Sequence, residues 1–175
     1  MLKPKVKIYI DGANMFYTQK RLGWFIDWKR VKEYIEQEKD VVEWKYYVGV
    51  KDGDEKMLKY LRYLNFVGFN TITKPLKKIK VTTPEISDQH AEDAFIYKAN
   101  FDVEMTADIL LEKSKLDEVI MFSGDSDFYY LVKKLKDVGV KVIVFSSKKT
   151  ISWELKLECS KVVYFEKIMN SIMRQ

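Results

Sequence analysis

Val119-Ile120-Met121-Phe122-Ser123-Gly124-Asp125-Ser126-Asp127-Phe128 is an apolar strand that runs into two small residues and then a carboxylate. A continuous β-favouring run of this kind is a strand buried on both faces, as in a parallel sheet. Gly124 allows a sharp bend after it. Asp125 and Asp127 then stand at a strand-to-helix turn, where the helix macrodipole favours acids. Phe128, Leu131, Val132 and Leu135 follow at helical spacing and predict a helix over about 126–137 that Gly139 stops. Val140–Phe145 is a strand again, which completes a parallel β-α-β unit.

Ile8-Tyr9-Ile10-Asp11-Gly12-Ala13-Asn14 repeats that layout far earlier in the chain. If the two strands lie side by side, Asp11, Asp125 and Asp127 converge at one edge of the sheet. Like charges a few ångströms apart resist joint ionisation. A divalent cation between them is the usual answer, and phosphodiester chemistry its usual use. Asn14 offers a neutral oxygen and an NH2 group to a phosphate or a water. The hydroxyls of Ser123 and Ser126 and the N–H groups of the turn suit a phosphate.

Working outward, Val6–Ile10 is the first strand, and 12–26 a loop or short helix carrying Phe16, Tyr17, Lys20, Arg21, Trp24 and Phe25. Asp27 caps a helix over about 28–38. Val41–Val50 is the second strand, with Val42, Trp44, Tyr46 and Val48 on one side. Asp52 or Asp54 starts a helix to about Val67, striped by Met57, Leu58, Leu61 and Leu64 and ended by Gly68. Phe69–Thr73 is the third strand. Residues 74–88 read as one long irregular stretch, with Lys74, Lys77, Lys78 and Lys80 in its first half. A helix over about 102–113 follows, an earlier start near Asp88 being left open. Asp117–Ser123 is the fourth strand and Val140–Phe145 the fifth. Thr150–Glu158 is a helix, Val162–Phe165 a short terminal strand, and the tail is helical.

Strands alternating with helices predict an α/β three-layer, Rossmann-like sandwich with a mostly parallel sheet in the order 3-2-1-4-5. Winding then reverses between strands 1 and 4, and a crevice opens at the C-terminal ends that bear Asp11 and Asp125. No linker, repeat or low-complexity run divides the chain, so 1–175 reads as a single domain.

The 175 residues are 47% apolar and 33% charged, too apolar for a disordered chain. An excess of 31 Lys and Arg over 26 Asp and Glu gives a net +5, which permits a polyanionic partner without demanding one. Cys159 is the sole cysteine, so no intramolecular disulfide forms and a reducing compartment fits. No apolar run approaches the ~18 residues of a membrane span. The first strand is too short for a signal segment, and a cytoplasmic location is expected. The single histidine, His90, is expected at the surface rather than in catalysis.

Asp102 is a fourth candidate acid. On the expected helix Val103, Ala107 and Leu110 face the sheet, and Asp102 lies on the shoulder of that stripe. Asp108 is about 9 Å further along the axis, so the two are not expected to hold one ion, and Asp108 is held in reserve.

The DGAN segment at 8–14, Asp102-Val103 with Asp108 six residues later, the SGDSDF turn at 123–128 and Gly139-Val140-Lys141-Val142 together resemble the NYN domain family, in its LabA-like branch, within the PIN-like nuclease superfamily. The match spans most of residues 6–165. The resemblance implies a PIN-like sandwich with an acidic pocket for Mg²⁺ or Mn²⁺ and ribonuclease activity. Carried over by position, the pocket is Asp11, Asn14, Asp102, Asp125 and Asp127, with the four aspartates as metal ligands. Members often place a Lys-Gly pair just before the helix aspartate, but here Ala99-Asn100-Phe101 separates Lys98 from Asp102.

The function expected is hydrolysis of RNA phosphodiester bonds, RNA being single-stranded. Lys20, Arg21, Lys74, Lys77, Lys78, Ser123 and Ser126 would hold the substrate, with aromatics near them for base stacking. Trp24 and Phe25 suit core or dimer packing better, and a homodimer is compatible with them. The alternative is an RNA-binding or protein-interaction module without turnover. A haloacid-dehalogenase-type phosphatase needs a second Asp two residues after the first, where this chain has Ala13. A nucleotide-cofactor oxidoreductase needs a Gly-rich turn that Asp11-Gly12-Ala13-Asn14 does not supply.

Overall fold

The computed structural model describes residues 3–81, 94–113 and 116–175. Its centre is a six-stranded sheet in the order β3-β2-β1-β6-β7-β8, every neighbouring pair parallel. The strands are β1 (Lys5–Asp11), β2 (Asp40–Val50), β3 (Asn70–Pro75), β6 (Glu118–Phe122), β7 (Lys141–Ser146) and β8 (Lys161–Tyr164). The expected order of five strands is present, and the terminal strand extends it at the β7 edge.

Two cores flank the sheet because alternate residues point to opposite faces. On one face Val6, Ile8, Ile10, Trp44, Tyr46, Val48, Ile120, Phe122, Ile143 and Phe145 pack beneath helices α1 (Gly12–Leu22), α2 (Trp28–Glu36), α3 (Glu55–Val67) and α7 (Phe165–Ile172). Trp28 is the hub of that side, its ring 5.4 Å from Tyr46 and 5.6 Å from Phe122, both edge-on. On the other face Tyr9, Tyr47, Val119, Met121, Val142 and Val144 pack beneath α4 (Asp102–Glu112), α5 (Tyr129–Asp137) and α6 (Trp153–Glu158).

The chain departs from the sequence reading at Leu58, which is exposed on its helix, at the start of the helix expected from Thr150, which begins at Trp153, and more widely in three places. Val42 is 54% exposed, not aligned with Trp44. The β1–β2 register jumps from Val6↔Val41 to Lys7↔Glu43, and the extra residue is a bulge that throws Val42 out of the alternation. Part of the stretch read as irregular is an antiparallel pair, β4 (Lys77–Val81) with β5 (Ala94–Lys98). Lysines at three of its five positions hid β4, and β5 excludes a helix running through 94–98. The expectations for Lys80, Thr82–Pro84, Asp88 and His90 fall outside the described side chains and residues. Finally, α4 buries Met105 and Ile109 behind Phe101, whereas Val103 (78% exposed), Ala107 and Leu110 face outward. A short helix with apolar residues all round carries no unique stripe, and the choice falls to the sheet it meets.

That choice was made by charge as well as packing. Lys45, 6% exposed on β2, donates to Asp108 at 2.9 Å and to Glu112 at 2.6 Å. Lys7 on β1 bridges Glu43 and Glu112, and the hydroxyls of Tyr9 and Tyr47 donate to Glu112 and Asp108. Burial raises both tyrosine hydroxyls above the usual range, with the adjacent carboxylates adding to it, so they stay protonated and donate. This network seats the C-terminal half of α4 across β1 and β2 and sets where its first residue, Asp102, stands.

Candidate active site

Asp11 is the last residue of β1 and the N-cap of α1; its Oδ1 accepts the Asn14 backbone N–H at 3.0 Å. Gly12 follows because there is no room for a side chain. A Cβ there would lie 2.6 Å from the Tyr47 carbonyl oxygen and 2.7 Å from the Tyr46 ring. Gly124 is required for the same reason, since a Cβ would overlap the Thr150 carbonyl group. Neither glycine is among those with positive φ, so the bend expected of Gly124 is in fact a close approach.

Asp125 caps a 3₁₀ turn, Ser126–Phe128, accepting the Asp127 backbone N–H at 3.0 Å. Asp102 opens α4, and its own N–H is held by Asn100 Oδ1 at 2.7 Å. One carboxylate oxygen from each of Asp11, Asp102 and Asp125 lies within 4.8 Å of the others. The three come from different parts of the chain and meet where β1 and β6 lie adjacent and the winding direction reverses.

The three charges are felt locally. Burial pushes the Asp11 carboxyl up to about 6, and the carboxylates of Asp102 and Asp125 add to the rise against the stabilising bonds from Asn14 and Ser123. Asp102 is raised in the same way, first by burial, then by Asp125 and Asp127; Asn100 and Lys98 pull it back. Lys98, at the end of β5, therefore stands close enough to act on the trio although three residues separate it from Asp102 in sequence.

The other expected site residues divide sharply. Asn14 points inward: its Oδ1 accepts the Gly124 N–H at 3.0 Å and ties the two acid-bearing turns together. Ser123 is fully buried and does not face a substrate. Its hydroxyl donates to Asp11 Oδ2 at 3.3 Å and accepts the Asp125 N–H at 3.2 Å, bridging two carboxylates. Asp127 and Ser126 are exposed at the rim, and Asp127 lies outside the group of three. Asp108 belongs to the Lys45 network and not to the trio.

Lys74 reaches the neighbourhood of the trio, paired with Glu104 at 2.6 Å and lying 4.4 Å over the Phe101 ring beside Asp102. Lys77 and Lys78 are on β4, the latter 3.7 Å over Phe95. Lys20 and Arg21 are in the last turn of α1, about 14–15 Å along its axis from Asp11. Lys20 covers Phe16, and Arg21 donates to the Lys149 carbonyl. The sequence reading missed Thr18 and Thr150, whose hydroxyls meet at 3.0 Å behind Asn14 and close the back of the site. Nothing local marks Thr150; it is found only through its packing on Gly124.

The fold is thus an α/β domain whose parallel sheet carries three carboxylates at its switch point. The chain belongs to the NYN domain family, whose model matches residues 5–168. It is 32% identical over 154 residues to the low amplitude and bright protein LabA of Synechococcus elongatus, covering 87% of this chain and 78% of that protein. A crystal structure of a Vibrio parahaemolyticus protein of unknown function superposes with a TM-score of 0.76 at 25% identity, over 98% of this chain and 97% of that one. No helix among the described residues is long and apolar enough to cross a membrane.

Proposed function

We propose that the chain is a metal-dependent endoribonuclease that hydrolyses phosphodiester bonds of single-stranded RNA. The observation that carries the reading is the meeting of Asp11, Asp102 and Asp125 oxygens within 4.8 Å. The donor set is all carboxylate, which suits a hard divalent cation such as Mg²⁺ or Mn²⁺ and not a soft one. The raised Asp11 carboxyl fits too: burial is its first cause and the carboxylates of Asp102 and Asp125 add to it, a cost that a cation would relieve.

When bound, such an ion would supply Lewis-acid activation of water and neutralise charge on the phosphate in the transition state. The remaining roles fall to the chain itself. Asp11, Asp102 and Asp125 would hold the ion, and Ser123 orients two of them. Asn14 fixes the separation of the two turns. Asp127 and Ser126, at the rim, would orient water or a phosphate oxygen. Lys98 and Lys74 would offset phosphate charge at the α4 side of the crevice.

The test is cleavage of a generic single-stranded RNA by the purified protein with Mn²⁺, Mg²⁺ or EDTA, repeated with Asp125→Asn. Metal-dependent cleavage that Asp125→Asn removes while RNA binding persists supports the reading. RNA binding with no cleavage by the wild type under any metal would instead identify a binding module.

A further inference from the structure

Helix α3 carries a second stripe beside its core face, of which Tyr60 alone packs partly against the core. Leu61 and Leu64 point into the core. Lys56, Lys59, Tyr60 and Tyr63 recur at i, i+3, i+4 and i+7 and form a separate stripe. That stripe is one wall of an open cavity of about 500 Å³, lined also by Ile26, Asp27, Trp28 and Arg174. The volume is in the range of small-ligand sites.

Its chemistry is uneven. Lys56, Lys59 and Arg174 bring three cations, and among the described residues none is ion-paired. The one acid, Asp27, is already engaged as the N-cap of α2, accepting the N–H groups of Lys29 and Arg30. Tyr60 and Tyr63 are stacked, centroids 6.4 Å apart, and Tyr63 remains 41% exposed. Flat aromatic surface beside unpaired cations is what a base joined to a phosphate requires. Behind the cavity Tyr60 donates to the Tyr46 hydroxyl at 3.5 Å, and the Tyr46 ring packs against Gly12.

We propose that this cavity is a second, metal-independent site for a nucleoside phosphate, the base on Tyr63 and the phosphate among Lys56, Lys59 and Arg174. The ligand is either a free mononucleotide or one nucleotide of an RNA strand; the chemistry is shared. The site is separate from the acidic trio and does not rest on its being catalytic.

The test is equilibrium binding in EDTA, with a nucleoside monophosphate and a short single-stranded oligoribonucleotide as alternative probes. Variants are Tyr63→Ala, Tyr63→Phe and Lys59→Glu, each checked for native circular dichroism. Loss of about tenfold or more in affinity for either probe with Tyr63→Ala and Lys59→Glu, and retention with Tyr63→Phe, supports the site. Response with the mononucleotide marks a free-nucleotide pocket; response with the oligonucleotide alone marks a strand subsite. Unchanged affinity for both probes in folded Tyr63→Ala and Lys59→Glu, or no binding of either probe to the wild type, overturns it. Because metal is absent, the outcome is independent of whether Asp125→Asn abolishes cleavage.

Discussion

Asn14 Oδ1 accepts the backbone N–H of Gly124 across 110 positions of the chain, and this bond joins the two acid-bearing turns alongside the one from Ser123 to Asp11. Gly124 is buried, so removing the acceptor leaves a donor without a partner. Asn14→Ala is therefore expected to lower stability by about 1–3 kcal/mol, read as a shift in the urea midpoint. The separation of Asp11 from Asp125 should loosen with it, weakening any metal-linked rise in melting temperature. An unchanged midpoint would show that the clasp contributes nothing.

Asp11 predicts a pH dependence whose sign is unusual for a carboxylate. In the native chain it keeps its proton to about pH 6; its ordinary value is 3.8. Between these values the native state binds more protons than the unfolded one, so stability falls as pH rises, and the full cost is present above about pH 6. In metal-free protein at pH 7.5, Asp11→Asn should be more stable than wild type by about 1–3 kcal/mol. Thermal melts from pH 4 to 8 should show this gain fading toward pH 4. A gain that grows as pH falls would contradict it.

A cation that binds only the folded trio must raise its melting temperature. At a hundred times its dissociation constant the gain is about 2.7 kcal/mol, or about 5–10 °C for a chain of this length. The shift should appear with Mn²⁺, reverse with EDTA and disappear in Asp125→Asn. Its absence in the wild type at millimolar Mn²⁺ would remove the metal from the proposed mechanism.

Lys45 is nearly inaccessible between Asp108 and Glu112. Lys45→Met leaves those carboxylates facing each other with only Lys7 nearby, and a loss of about 3 kcal/mol is expected in urea denaturation. Adding Asp108→Asn should recover part of it, the coupling expected of residues that share a bond. Strict additivity of the two would mean that the pair is not what seats α4.

Much of the fold was legible because parallel strands buried on two faces leave continuous apolar runs, and because Asp27, Asp54, Gly68 and Gly139 mark helix ends chemically. The β4–β5 pair was not legible, since Lys77 and Lys78 resemble a solvated loop until Tyr97 and Lys98 are known to lie opposite. The stripe on α4 differs for a related reason. Val103 and Leu110 are as apolar as Met105 and Ile109, and packing on the sheet together with the partners of Asp108 and Glu112 decides which way the helix turns.

The sequence by itself determined the two strand-to-turn segments that end in Asp11 and Asp125, and that they would be neighbours at a switch point, because hydrophobic period and turn chemistry are local properties. Only the tertiary structure decided that Asp102 joins them while Asp127 stays at the rim, and that Ser123 is buried between carboxylates instead of facing substrate. It alone assembled the α3 stripe and Arg174 into one cavity. Those outcomes depend on distances between residues far apart along the chain, which sheet register and the buried charges beneath α4 set and no local pattern encodes.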